Sequence, residues 1–141
     1  MSKVKPLKGF NSFSFLFKTG KKFYEDNALG VFLFDFDKYE ATNFTKSIDS
    51  EFFYLGVSVS KKNAKKAVVR NRIKRLLREA VKKIFQERYT QCEHHLRFGI
   101  IVWRAGVSHP AQIKLSDVYP ALVQIFDNVD RFYKSKKIKA Q

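Results

Sequence analysis

Apolar and polar positions change rhythm several times along the chain, and each rhythm predicts an element. Phe10, Phe13, Leu16 and Phe17 recur three to four apart, the spacing of one helix face. Asn11-Ser12 can cap this helix, and Gly20 ends it soon after Lys18. Residues 29–36 are a run rich in Val and Phe, which predicts a strand, and a further short strand fits around residues 22–25. Residues 38–50 are polar and irregular, a loop between strands. From 52 to 60 the pattern alternates strictly: Phe53, Leu55, Val57 and Val59 on one face, Phe52, Tyr54, Gly56, Ser58 and Ser60 on the other. Residues 65–89 hold no Gly or Pro and read as a long helix. Residues 96–103 form a short apolar strand, and Gly106 and Pro110 break the chain after it. Ser116-Asp117 can cap a last helix over 117–133, with Val118, Leu122, Ile125, Phe126 and Val129 on one face and Pro120 in its first turn. The expected organisation is a loose basic arm over 1–9, one domain over 10–133 and a frayed basic tail over 134–141. The order of helices and strands predicts an α+β sandwich.

Charge changes the picture most on the long helix. Residues 61–88 carry 12 Lys/Arg and two Glu, so 12 − 2 gives +10 of the chain's +15. At about 100° per residue, Val69, Ile73, Leu76, Leu77, Ala80 and Ile84 gather on one side. Arg70, Asn71, Lys74, Arg75, Arg78 and Lys82 occupy an adjacent arc. One stripe is therefore buried and a cationic one is presented beside it. Arginine forks grip phosphate oxygens in pairs, and Asn71 can both donate and accept. Lys61-Lys62 and Lys65-Lys66 add charge at the helix N-terminus, whose free N–H groups also favour an anion. A plain solvated face is the bland alternative, but only Glu79 and Glu87 are available to neutralise the stripe.

The composition, 28 Lys+Arg against 13 Asp+Glu in 141 residues, points to a polyanion, either nucleic acid or an acidic membrane surface. With 45% hydrophobic residues, 15 of the residues being Phe, one aromatic-rich core is expected. Cys92 is the only cysteine, so no intrachain disulfide can form, as in a reducing compartment. No stretch approaches the roughly 18 apolar residues of a membrane span. The N-terminus lacks the apolar run of a signal peptide. A cytoplasmic protein is expected.

Two segments carry a resemblance. Leu55-Gly56-Val57-Ser58-Val59-Ser60-Lys61-Lys62, followed by Arg70-Asn71-Arg72-Ile73-Lys74-Arg75-Leu76-Leu77-Arg78-Glu79, resembles the central motif of the bacterial ribonuclease P protein family. That motif is a Gly-x-x-Val-Ser-Lys-Lys strand end, then Arg-Asn-x-x-Lys-Arg-x-x-Arg-Glu. Phe13-x-x-Leu16-Phe17-x-x-Gly20 is similar to the family's first helix, and residues 100–104 to its later strand. The segment between Lys62 and Ala67 departs from the family in lacking a glycine. The resemblance implies an αβββαβα two-layer sandwich with a left-handed strand-helix-strand crossover, against the usual hand. It implies two RNA surfaces. Lys61, Lys62, Arg70, Asn71, Arg72, Lys74, Arg75 and Arg78 would face the catalytic RNA subunit. A cleft between the first helix and the sheet, lined by Phe13, Phe17 and Phe34 (with Phe32 the other choice), would hold the single-stranded 5′ leader of precursor tRNA. Ser58 and Ser60 would touch its backbone. Stacking on aromatic rings tolerates variable sequence, which suits such a leader, although each Phe could equally be ordinary core.

No protein catalytic site is expected. Cys92, His94 and His95 form a Cys-x-His-His run without a convincing fourth ligand, and Asp35 and Asp37 are too few for two-metal nuclease chemistry. No nucleotide-binding glycine loop is present. In the resembling family the RNA subunit performs the hydrolysis with Mg²⁺, and the protein assists in tRNA processing as part of an endonuclease. No protein-bound cofactor or metal, and no membrane or DNA partner, is expected. The alternatives are a ribosome-associated structured-RNA-binding protein with no part in an enzyme, a DNA-binding regulator and a membrane-surface protein. Leader-dependent binding, preference for structured RNA over duplex DNA, and binding to anionic vesicles separate them.

Overall fold

The computed structural model describes residues 3–8, 10–37, 51–89 and 94–139. The expected 38–50 loop and Cys92 lie outside them. The elements run β1 (Val4–Pro6), α1 (Phe10–Thr19), β2 (Lys21–Tyr24), β3 (Ala28–Phe34), β4 (Phe53–Val59), α2 (Ala67–Arg88), β5 (Leu96–Trp103), a 3-10 turn (Pro110–Gln112) and α3 (Leu115–Lys139). The expected αβββαβα order is present, with one strand added ahead of the first helix.

The five strands form one mixed sheet in the order β1-β4-β5-β3-β2. β4 lies parallel to β1 and β5, whereas β3 is antiparallel to β5 and β2. The middle strands are covered on both faces, which explains why residues 28–34 and 96–103 read as continuous apolar runs instead of alternating ones. One face packs on α2 and α3 through Phe32, Phe34, Phe53, Ile101, Trp103, Ile73, Leu77, Leu122 and Phe126. The other carries α1, with Leu16 buried among Leu33, Phe98 and Ile100. Each fully buried Phe or Leu contributes about 1.5–3 kcal/mol, so the large face is the main source of cohesion.

Two boundaries differ from the sequence expectation. Residues 4–6 are not part of a loose arm. Val4, Lys5 and Pro6 pair with Phe53, Tyr54 and Leu55, and Val4 and Leu7 are buried. Pro6 is tolerated because β1 is an edge strand. At the other end, α3 continues through the expected tail to Lys139. Just before that stretch, Phe132 and Tyr133 pack against Phe34 and Phe36. α3 also starts two residues early, at Leu115. The Asp117 carboxylate accepts from Lys114 N–H at 2.9 Å, and the start at Leu115 puts Pro120 beyond the first turn.

Candidate nucleic-acid interface

The end of β4 turns sharply into α2. Asn63 and Ala64 N–H both donate to Ser60 O at 3.2 and 3.1 Å, and the Ser60 hydroxyl accepts a further bond from Asn63 N–H. Ser60 thus shapes the turn. Lys61 and Lys62 are thrown into solvent while Ala64 is buried. α2 then begins with no side-chain cap at Lys66 and no acidic residue in its first turn. Its free N–H groups and the positive end of its dipole are left facing four lysines.

Along α2 the buried positions are Val69, Ile73, Leu76, Leu77, Ala80, Val81, Ile84 and Phe85. Asn71, Arg75, Arg78 and Lys82 are exposed and Lys74 half-exposed, forming one stripe at helical spacing. The two flanking arginines have other bonds. Arg70 Nη1 donates to Ala64 O (2.9 Å) and Lys65 O (2.8 Å), bracing the turn that carries the lysines. Arg72 Nε donates to Ile113 O at 3.0 Å, tying α2 to the segment before α3. Acid partners are concentrated at the opposite end. Arg88 pairs with Asp127 and Asp130 at 2.6 and 2.8 Å, and Glu87 is held by the Tyr119 hydroxyl. Among the described residues, Lys61, Lys62, Lys65, Lys66, Lys74, Arg75 and Arg78 have no ion pair. The positive field is therefore gathered over the N-terminal half of α2.

The second surface lies on the α1 face of the sheet. Gly56 is the pivot: a Cβ there would run into the Phe13 ring, so the absent side chain lets that ring lie on the sheet. Phe13, Phe15 and Phe17 are half-buried, packed against the Leu16–Leu33–Phe98–Ile100 cluster. Tyr54, Gly56 and Ser58 share this face with Phe98, Ile100 and Val102, their β5 partners. Ser58, half-buried, lies on this face.

Phe34 does not. Its 1% exposed ring belongs to the α3 side, where it stacks on Phe36 and meets Phe23, Phe132 and Tyr133. Phe32 points the same way, against Phe53 and Phe126. The α1-facing positions of β3 are Leu29, Val31 and Leu33, in register with Val102, Ile100 and Phe98. An apolar run buried on both faces gives no alternation from which to read the side, so the aromatic choice could not be made from sequence.

The histidines are separately employed. His94 is buried against Phe85 and Tyr89, its Nε2 2.9 Å from Glu51 O. Burial, with Arg97 and Lys3 adding to it, pushes its pKa below the ordinary histidine value. His95 stacks on Tyr133 with ring centroids 3.9 Å apart and sits 3.5 Å from Asp35. His109 caps the 3-10 turn, accepting from Ala111 N–H. Among the described residues no three His, Cys, Asp or Glu cluster as metal ligands, and no helix is long and apolar enough to cross a membrane.

Comparison with known proteins adds the following. Residues 1–108 match the family model described as Ribonuclease P. No curated protein matches the sequence. Among solved structures, a Staphylococcus aureus RNase P protein is similar with a TM-score of 0.60 and 23% identity, covering 92% of this chain and 96% of that one. The RNase P protein of Thermotoga maritima is similar with a TM-score of 0.55 and 19% identity, covering 85% and 93%.

Proposed function

The chain belongs to the ribonuclease P protein family, and on that premise we propose that it is the protein subunit of ribonuclease P, holding the catalytic RNA with α2 and the 5′ leader of precursor tRNA in the α1 cleft. Membership makes it part of a tRNA-processing ribonucleoprotein. The hydrolysis would be performed by the RNA subunit with Mg²⁺. In this reading the protein supplies no reacting group. It lowers repulsion between two polyanions and positions the substrate, in the cytoplasm.

The observation that carries this reading is Phe13. A large apolar side chain is seated on a glycine and left partly exposed on a sheet face. That face ends at a turn carrying unpaired lysines. A ring needed only for the core would be closed over. Left open, it offers a π-face to an unstacked base without reading its sequence. The cation stripe alone would fit any structured RNA. The two surfaces together fit a protein that must hold one RNA while receiving the single-stranded end of another.

The test is binding of precursor and mature tRNA to the holoenzyme with Phe13→Ala and Phe17→Ala. Each ring is expected to contribute about tenfold to precursor affinity, with mature tRNA, which lacks the leader, nearly unaffected. Equal losses for both ligands would remove the cleft assignment and favour a general structured-RNA-binding role.

A further inference from the structure

The strand register continues the cleft beyond the part covered by α1. On this face the sheet can be read in rows across neighbouring strands. One row is Lys22–Val31–Ile100–Gly56, and it lies under α1, with Phe13 over Gly56 and Gly20 against Val31. The next row toward the α2 end is Tyr24–Leu29–Val102–Ser58. Leu29 and Val102 stand in central strands, yet they are only half-buried, as is Ser58. Tyr24, at the edge, is 59% exposed, the ring of a large side chain standing in solvent. The Arg104 guanidinium lies 5.7 Å from that ring's centroid, and Arg104 N–H is tied to Asn27 O at 2.8 Å. Lys22 flanks Tyr24 on the same strand face. The only acids at the β2–β3 turn are Glu25 and Asp26, and the Glu25 carboxylate accepts from Asn27 N–H at 3.0 Å.

From this geometry we infer that Tyr24 and Arg104 form a second stacking station for single-stranded RNA, which takes leader nucleotides after they leave the Phe13–Phe17 cleft. The inference rests on the leader reading above and extends it. The station lies three strand spacings from Gly56, about 14 Å across the sheet, so one short single strand can span both. Arginine over a tyrosine face presents a flat, cationic surface to a base, and its charge meets the adjoining phosphate. The half-buried Leu29–Val102–Ser58 row is the floor between the stations. Ser58 supplies a hydroxyl where the strand passes toward Lys61 and Lys62.

The experiment measures affinity of the reconstituted holoenzyme for precursor tRNAs with leaders of graded length, for mature tRNA, and of the protein for the RNA subunit. Tyr24→Ala is expected to weaken binding of the longer leaders by about fivefold to tenfold. Tyr24→Phe should keep near-native affinity, and Arg104→Gln should lose part of it. Leaders too short to reach the station should show no effect of Tyr24→Ala, while Phe13→Ala still weakens them. If Tyr24→Ala binds all leaders like the native protein while Phe13→Ala shows leader dependence, the second station is wrong and the cleft stands. If Tyr24→Ala weakens mature tRNA or RNA-subunit binding equally, the pair contacts structured RNA instead, and the inference is overturned. If Phe13→Ala has no leader dependence either, both fail. Tyr24 and Arg104 are surface residues, and circular dichroism of the variants checks that the fold is kept.

Discussion

Gly56 and Phe13 act as one unit, because the space that the ring occupies exists only while position 56 has no side chain. Gly56→Ala should push Phe13 off the sheet. It should cost about 1–3 kcal/mol of stability and selectively weaken precursor tRNA binding, readable by urea unfolding beside a leader-dependent binding assay. A stable Gly56→Ala protein with unchanged leader affinity would show that Phe13 has no need of that seat. Phe34→Ala should behave in the opposite way. The ring is enclosed by Phe23, Phe36, Phe132 and Tyr133, so its removal should cost about 3–5 kcal/mol without altering leader discrimination in the protein that remains folded. His94 brings a pH dependence. Its folded pKa is depressed mainly by burial, while in the unfolded chain it is ordinary, about 6.5. Between these values the unfolded state binds more protons, so stability is fully present above about 6.5 and declines as pH falls toward the folded pKa. Urea midpoints from pH 8 to pH 5 should show this decline, and His94→Gln should reduce it. The same steepness in the variant would assign the acid sensitivity to other groups.

At the scale of elements, α2 divides into two halves with separate work. Its C-terminal end is locked to α3 by Arg88 with Asp127 and Asp130, whereas the N-terminal half keeps its charge for a partner. Neutralising Lys74, Arg75 and Arg78 together should weaken assembly with the RNA subunit and lower the steepness of its salt dependence by up to about three phosphate contacts' worth. Arg88→Ala should instead lower stability by about 1–3 kcal/mol and leave the salt slope alone. An unchanged slope in the triple variant would mean that the stripe does not face RNA. Much of this was legible in the sequence. The period of α2, its two stripes and the alternation of β4 rest on residue spacing, which tertiary packing did not override. What the spacing could not give was committed elsewhere in the fold. Arg70 and Arg72 looked like their neighbours, but each bonds a carbonyl that only the folded chain brings near. The side taken by Phe34 was hidden by a strand buried on both faces. β1 was missed because three residues ending in proline carry almost no pattern, and their pairing partner stands some fifty positions on. Tyr24 had no signal of its own, since its place depends on the register between β2 and β3.

Across the whole molecule, the sheet separates two kinds of surface. The α2–α3 face is closed by large aromatic packing, and the α1 face is left partly open by a helix of ten residues that covers only some of its rows. The +15 net charge draws in any polyanion, so charge by itself cannot select a precursor from its product. In the proposed reading selection would come from the open face, where a leader is present in one ligand and absent in the other. In the same reading the chemistry would lie outside the protein, in the RNA that α2 would hold. The most direct test is cleavage of a 5′-labelled precursor tRNA by a bacterial ribonuclease P RNA at low Mg²⁺, with and without this protein. Correct removal of the leader only when both are present is the predicted result. Cleavage by the protein alone, or tight binding to the RNA with no gain in cleavage, would contradict it.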